Sequence, residues 1–379
     1  MQVPEGWEIK YLREIVKFSQ GIQVDTTQQS TVHHEGYIRF LRIADFVSKT
    51  EPPRFIKKPN ENFIVSDSDL SMIRYGSASA GDVVRGLSGA IANNLFRLIP
   101  NEQKIYKSYL YLYLGQKKIK HYLICGSSSS TMPAITFDLV GRTEIILPPL
   151  AEQEKIAEIL STWDHAIEQT ERLKANAETH KQALMQQLLT GKKRFPEFEG
   201  EWEKKSLKLL VKISKGQQKN RINLTANGKY PVINGGIEPS GYTDEYNRME
   251  NIITISEGGN SCGYVNFIKT KFWCGGHCYS MLEPSIDNHF LFHALKFREK
   301  ALMQLRVGSG LPNIQKRDVE SFKIEYPVLM SEQQKIAAVL NTADREIELL
   351  AQKLDHLKTE KRALMQQLLT GKRRVKVDG

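Results

Sequence analysis

The stretch ALMQQLLTGK occurs twice without a change in this chain of 379 residues, at Ala183–Lys192 and at Ala363–Lys372. The identity extends into a longer repeat, because residues 151–194 and 331–374 align at an offset of 180 with 23 of 44 positions identical. Self-similarity at a fixed offset is the sequence signature of duplicated structural units. We therefore predict two long segments of the same structure, each of which follows its own globular part.

The repeated segments have the apolar spacing of long helices. In the second segment, nine of the ten residues at alternating intervals of four and three from Ile336 to Leu368 are apolar. The same offsets in the first segment, from Ile156 to Leu188, give a seam that is weaker in its middle. This period is typical of coiled coils, and a helix of about 40 residues is about 60 Å long. Because each helix must bury its apolar stripe, we predict an antiparallel pair. The alternative is a coiled-coil dimer with a second chain.

The apolar stripe also predicts a docking surface for other proteins. Gly191 and Gly371 each follow the last periodic residue, where a helix is expected to end. The residues predicted to bind partners are Ile156, Leu160, Leu184, Leu188, Ile336, Leu340, Leu364 and Leu368.

The repeat frames two globular parts whose interiors differ. Pro4–Gln23 aligns with Phe198–Gln218 at an offset of 195, and MPAI at Met132–Ile135 matches LPNI at Leu311–Ile314. The interiors share little sequence. This combination indicates one scaffold that presents two different reading surfaces.

The interiors have the pattern of mixed structure. Short β-rich runs bounded by Gly, Asn and Pro accompany two helical stretches, predicted at Lys107–Leu123 and Asp287–Leu305. The predicted fold class is α+β, with two mixed α/β domains, separated by two long antiparallel coiled-coil helices, in a pseudo-two-fold internal repeat. The predicted boundaries are 1–147 and 193–327 for the domains, and 148–192 and 328–374 for the helices.

Composition limits the function classes. Lys and Arg number 53 against 43 Asp and Glu, a net charge of +10, which favours a polyanionic partner such as nucleic acid. The apolar fraction of 40% is ordinary for a folded protein. We found neither an apolar run of about 18 residues, as a membrane span needs, nor a secretory signal. Four cysteines do not form a disulfide framework. We expect a cytoplasmic protein without a membrane partner.

Polar and basic loop residues are the candidates for contact with DNA, since Arg and Lys suit guanine while Asn and Gln suit adenine. The richest stretch is KGQQKNRIN at Lys215–Asn223, and its counterpart QGIQVDTTQQ at Gln20–Gln29 contains glutamines but no basic residue. For any single residue, a solvated surface position is the alternative. The predicted DNA-binding residues are Gln20, Gln23, Arg39, Arg42, Lys215, Gln217, Gln218, Lys219, Asn220 and Arg221.

Motifs that carry chemistry are sparse. Cys262, Cys274, His277 and Cys278 could offer zinc three thiolates and an imidazole. Their spacing differs from a CxxC knuckle and the first globular part has no counterpart, so buried thiols without metal are favoured. We found no GxxxxGK[ST] or GxGxxG loop and no Asn-Pro-Pro-aromatic methyltransferase motif. We therefore predict a subunit without catalytic residues.

Three stretches resemble a known family. Pro148–Glu168, Ala183–Phe198 and the start of the chain, PEGWEIKYLREIV at Pro4–Val16, are similar to the conserved regions of type I restriction–modification specificity (S, or HsdS) subunits. The double repeat resembles that family too, so the resemblance covers the whole chain.

The resemblance implies two target-recognition domains that each read half of a split sequence in the major groove of double-stranded DNA. It also implies two methyltransferase (M) subunits docked on the helices and restriction (R) subunits that complete the complex. S-adenosylmethionine, ATP and Mg²⁺ would belong to those partners, with no cofactor in this chain. Half-sites about one helical turn apart suit such a repeat, and the helix pair would fix the gap between them. A self-contained DNA enzyme and a coiled-coil adaptor that binds only protein are the alternatives.

Overall fold

The computed structural model describes residues 3–48, 50–127, 133–220, 222, 224–308, 310 and 312–377. The chain forms two compact units. The first unit combines Met1–Glu168 with Asp355–Gly379, and the second unit is Gln169–Leu354. Each unit therefore contains one globular part and a portion of both long helices. Within the described residues, no helix is long and apolar enough to cross a membrane.

In its described residues, the first unit contains three small sheets and four short helices before the long helix begins. Its strands are β1 (Glu8–Tyr11), β2 (Val16–Gln20), β3 (Tyr37–Leu41), β4 (Arg54–Lys57), β5 (Ile64–Val65), β6 (Leu70–Ile73), β7 (Val83–Val84), β8 (Gly89–Ile91), β9 (Leu95–Pro100) and β10 (Glu144–Leu147). Its helices are α1 (Ile43–Val47), α2 (Lys107–Leu114), α3 (Lys117–Cys125), α4 (Phe137–Gly141) and the start of α5 (Leu150–Leu188).

The second unit follows the same order with fewer strands. Its strands are β11 (Trp202–Ser206), β12 (Lys212–Lys215), β13 (Tyr230–Ile233), β14 (Tyr242–Thr243), β15 (Ile252–Ser256), β16 (Val265–Ile268), β17 (Trp273–Cys274), β18 (Cys278–Leu282) and β19 (Lys323–Pro327). Its helices are α6 (Asn288–Phe297), α7 (Glu299–Gln304), α8 (Lys316–Ser321) and the start of α9 (Met330–Leu368). Short 3₁₀ turns occupy Leu12–Glu14, Thr26–Gln28, Glu61–Phe63 and Leu207–Leu209.

The sheet topology repeats even where the sequence does not. The first unit has sheets β1-β10, β2-β9-β6-β7 and β4-β3-β8-β5, and the second has β11-β19, β12-β18-β15-β16 and β14-β13-β17. The four-stranded sheet that begins with β2 therefore has the same strand order as the sheet that begins with β12. Strand β5 is an addition at the edge of the third sheet of the first unit.

The two long helices are antiparallel in each unit. In the first unit Ile156 and Leu160 share a buried core with Leu368, and in the second Leu188 shares one with Ile336. The earlier residue of one helix packs with the later residue of the other in both units, which confirms the antiparallel pairing. Each core extends into the globular part of its own unit, so the helices are not a free-standing coiled coil.

Two predicted helices are each divided. The run expected at Lys107–Leu123 is α2 and α3, separated at Gly115 and Gln116. The run expected at Asp287–Leu305 is α6 and α7, which meet at Arg298. Periodicity alone does not reveal such breaks, because the apolar residues on both sides of each break enter the same core.

Candidate nucleic-acid interface

Strand β2 ends where two backbone segments come into close contact. The amide of Gly21 donates to the carbonyl oxygen of Leu95 at 3.2 Å. A Cβ atom at Gly21 would lie 2.2 Å from the carbonyl oxygen of Ala92, closer than any side chain tolerates. Glycine is therefore required here, and the contact brings Gln20 beside the turn that precedes β9.

Gln20 is the centre of a polar network in the first unit. Its Nε2 donates to the carbonyl oxygen of Asn93 at 2.5 Å, and its Oε1 accepts from Nη1 of Arg74 at 2.9 Å. The Nδ2 of Asn93 donates in turn to Oε1 of Gln23 at 3.2 Å. The structure thus brings two predicted residues, Gln20 and Gln23, together with an arginine that sequence reasoning missed.

The second unit has a different network at the end of β12. Lys215 donates from Nζ to Oε1 of Glu257 at 2.5 Å, and the same oxygen accepts from the hydroxyl of Tyr279 at 2.8 Å. The Nδ1 of His277 lies 3.6 Å from Oε2 of Glu257. Burial and the adjacent Glu257 carboxylate raise the pKa of Tyr279 well above its usual range. The phenol therefore stays protonated, and its hydroxyl group donates the hydrogen bond to Glu257. The Glu257 carboxylate is buried, while Lys215 and His277 are exposed.

The same four backbone hydrogen bonds surround both networks. In each unit two of them join the residues after β2 or β12 to the end of one strand and the start of the next, namely β8 and β9 or β17 and β18, and two hold the residue that follows β6 or β15. In the first unit the bonds run from Gly21 N to Leu95 O, Ile22 N to Ile91 O, Arg74 N to Asn94 O and Ile135 N to Arg74 O. In the second unit the equivalent bonds, in the same order, run from Gly216 N to Cys278 O, Gln217 N to Cys274 O, Glu257 N to His277 O and Ile314 N to Glu257 O.

The remaining residues of the basic stretch lie just beyond this network. Lys219 donates to Oε2 of Glu245 at 2.6 Å and lies 4.0 Å from the centre of the Trp273 ring. The Trp273 indole donates to the carbonyl oxygen of Gln217 at 2.8 Å, which fixes the course of the loop. The side chains of Gln217, Gln218 and Asn220 are exposed, and Arg221 lies outside the described residues.

Arg39 and Arg42 lie at a different place, on β3 and at the start of α1. Both pair with Asp45, whose side chain is 1% exposed. Arg42 also donates from Nη2 to the carbonyl oxygen of Pro52 at 3.0 Å. These contacts give both arginines an intramolecular structural role, and their contact with DNA stays a prediction.

Sequence reasoning missed Arg74 and Glu257 in the two networks, and it named His277 only as a possible zinc ligand. Arg74 and Glu257 each directly follow an inner strand of the four-stranded sheet, and His277 precedes β18. The usable signal was the pair of β-rich runs LSMI and IITIS. Because the interiors share little sequence, the two runs align only through their backbone contacts.

The cysteines of the second unit serve in packing. Cys262 donates from Sγ to the carbonyl oxygen of Glu257 at 3.0 Å, and Cys274 Sγ lies 3.6 Å from the carbonyl oxygen of Cys278. All three thiols are buried, and burial raises the pKa of Cys262. Among the described residues no three His, Cys, Asp or Glu side chains come together as metal ligands.

The eight helix residues predicted to bind partners line the cores of their own units. Six of them are buried, and Leu184 and Leu364 are partly buried against the same cores. In this structure their side chains pack within the chain. Their contact with another protein stays a prediction.

Comparison with known proteins identifies the family. The profile of the type I restriction modification DNA specificity domain matches residues 4–179 and again residues 199–359. The chain belongs to this family, and the two matches follow the internal repeat. It is a DNA sequence-recognition subunit of a type I restriction–modification system, which assembles with other subunits.

Relatives and solved structures agree with that identification. The specificity subunit of the type I restriction enzyme MjaVIII of Methanocaldococcus jannaschii is 25% identical over 410 residues, covering 99% of this chain and 95% of the relative. A protein of Mycoplasma genitalium described as a type I specificity subunit is 34% identical over 153 residues, or 40% of each chain. The crystal structure of the type I S subunit from M. genitalium has the same fold, with a TM-score of 0.73 and 17% identity over 97% of this chain and 98% of that one.

Proposed function

We propose that the two units read two different half-sites of one gapped DNA sequence. The observation that carries this proposal is the shared backbone frame around Gln20 and Lys215, which holds different side chains in the two units. One scaffold with two sets of side chains is what two unlike half-sites require. The basic balance of the chain, +10, supports attraction to the phosphate backbone.

Catalysis belongs to the partners in this proposal. Two methyltransferase subunits bind S-adenosylmethionine and modify the site that this chain selects, and restriction subunits that use ATP and Mg²⁺ complete the complex. The chain itself supplies selectivity and no reacting group. The long helices set the number of base pairs between the half-sites, so a helical turn inserted into one helix should lengthen the gap and leave both half-sites unchanged.

Single-molecule methylome sequencing tests the proposal. Plasmid DNA is prepared from cells that co-express this chain with a type I methyltransferase subunit, and from cells that express the methyltransferase subunit without this chain. We expect a bipartite, gapped motif methylated on both strands only when this chain is present. A continuous motif, or methylation indifferent to the deletion, would favour an adaptor that binds only protein.

A further inference from the structure

The repeat keeps the residue types of contacts that serve the fold. Arg194 donates to the buried carboxylate of Glu332 from Nε at 2.9 Å and from Nη2 at 2.6 Å. In the first unit Arg374 makes the same two-pronged contact with the buried carboxylate of Glu152. Each member of one pair is 180 positions from its equivalent in the other. A contact needed twice for structure has therefore kept its chemistry.

The position directly after β6 and β15, by contrast, does not keep its residue type between the two units. Arg74 and Glu257 occupy the same place in the backbone frame, but one side chain is cationic and the other anionic. Their partners differ accordingly, because Gln20 accepts a hydrogen bond from Arg74 whereas Lys215, the residue equivalent to Gln20, donates one to Glu257. The backbone hydrogen bonds around this position are the same in the two units while the charge of its side chain is reversed. We therefore expect this position to have a role that differs between the two units.

Some buried polar atoms at or beside the two networks make no hydrogen bond within the described residues. They are Nε of Arg74 and Oδ1 of Asn94 in the first unit, and Oε2 of Glu257 in the second, where Nδ1 of His277 lies 3.6 Å away. The Glu257 residue is 5% exposed, and the nearby ring of His277, which is exposed, is the side chain beside Oε2. A buried polar atom left unpaired is costly, so these atoms are available to a ligand with complementary donors and acceptors.

We infer that this shared position selects one base pair in each half-site, an inference that rests on the proposed function. In the first unit Arg74, oriented by Gln20, donates to the two acceptors N7 and O6 of a guanine. In the second unit the site contains both a cationic side chain, Lys215, and an anionic one, Glu257. Glu257 accepts from the N6 amino group of an adenine once the His277 ring moves aside, and Lys215 donates to N7 of that base.

The residues chosen for substitution are exposed or half-buried, because changes at such positions leave the folding of the chain intact. The variants are Arg74→Gln and Gln20→Ala in the first unit, and Lys215→Gln in the second. Lys17→Gln and Lys212→Gln are matched controls, since these exposed lysines lie on β2 and β12, the strands that end at Gln20 and Lys215. The complete complex of chain and methyltransferase subunit is titrated with duplexes that carry each base pair at every position of the motif.

We expect each variant to change discrimination at one base pair of one half-site, by about 5- to 150-fold. Arg74→Gln should weaken the preference for guanine, and Gln20→Ala should weaken it at the same base pair. Lys215→Gln should weaken the preference for adenine in the other half-site. The two control variants should bind with wild-type selectivity.

Two results would overturn the inference. One is an unchanged base preference in Gln20→Ala, Arg74→Gln and Lys215→Gln. The other is a single variant that alters both half-sites. Failure of the proposed function is seen separately, because the motif would then persist without this chain.

Discussion

Asp164 on α5 accepts a hydrogen bond from Lys361 on α9, within the first unit. The second unit repeats the contact with the order of the helices reversed, since Lys181 of α5 donates to Asp344 of α9. The repeat offset of 180 relates Asp164 to Asp344 and Lys181 to Lys361. The two antiparallel helix contacts are therefore set by the same pair of residue types.

Reversing one charge should weaken the first unit, and reversing both should restore it. Lys361→Asp places a second carboxylate beside Asp164, and adding Asp164→Lys recovers an opposite pair. Because both side chains are partly exposed, with 18% and 45% of their area accessible, we expect a coupling of up to about 1 kcal/mol. Urea denaturation of the four chains of the cycle measures it. Independent, additive effects would show that the pair does not stabilise the contact.

Leu340 should be essential to the second unit. Its side chain is fully buried in the core shared by the helices and the globular part, so Leu340→Ala should cost about 2–5 kcal/mol. Leu349 lies on the same helix but is 54% exposed, and Leu349→Ala is the control. Chemical denaturation compares the two. Equal losses would contradict the packing described for this helix.

Gly216 should not tolerate a side chain. A Cβ atom there would lie 2.2 Å from the carbonyl oxygen of Gly275, so Gly216→Ala must displace the backbone beside Lys215. We expect a loss of about 1–3 kcal/mol and loss of selectivity at the half-site read by the second unit. Gly310→Ala, where the added Cβ meets no atom within 4 Å, is the control. Wild-type selectivity in Gly216→Ala would contradict the backbone frame.

Acid should weaken the second unit through His293. The ring is fully buried, its Nε2 lies 2.9 Å from Oδ1 of Asn341, and burial lowers its pKa. Asp344, Lys181 and His289 are the charged or titratable groups that influence it. The unfolded chain takes up a proton near pH 6.5 and the folded chain only at lower pH. The contribution of neutral His293 to the free energy of unfolding is therefore fully present above about pH 7, and it is lost as the pH falls through 6.5.

The measurement is the urea midpoint between pH 8 and pH 5.5, for the wild type and for His293→Gln. The variant should show a shallower dependence on pH, because it has no buried proton acceptor at this position. Identical slopes in wild type and His293→Gln would assign the acid sensitivity to other groups.

The helices and the repeat could be predicted from sequence because their signals are long and local. The alternating spacing from Ile336 to Leu368 predicted a helix that the structure places at Met330–Leu368. The antiparallel pairing followed from the need to bury two equivalent stripes. What the period did not reveal is that each stripe also packs against strands, since heptad spacing does not identify the surface that covers it.

Only half of the candidate site could be predicted from the sequence. Gln20 and Lys215 lie in the framed part of the repeat, so their equivalence was visible at an offset of 195. Arg74 and Glu257 lie in the dissimilar interiors and align at an offset of 183, which only the backbone hydrogen bonds disclose. Composition made Lys219 a candidate for DNA contact, and that contact stays a prediction. In this structure its side chain pairs with Glu245 and packs on Trp273.

The first unit is completed by Asp355–Gly379, which follow the whole of the second unit in the sequence. During synthesis on a ribosome, the globular part of the first unit must therefore wait until the second unit has been made before Leu368 can join the core that contains Leu160 and before Arg374 can pair with Glu152. The second unit is continuous in sequence and has all its own residues earlier. Premature termination near residue 354 would thus leave a complete second unit and damage the domain that was made first.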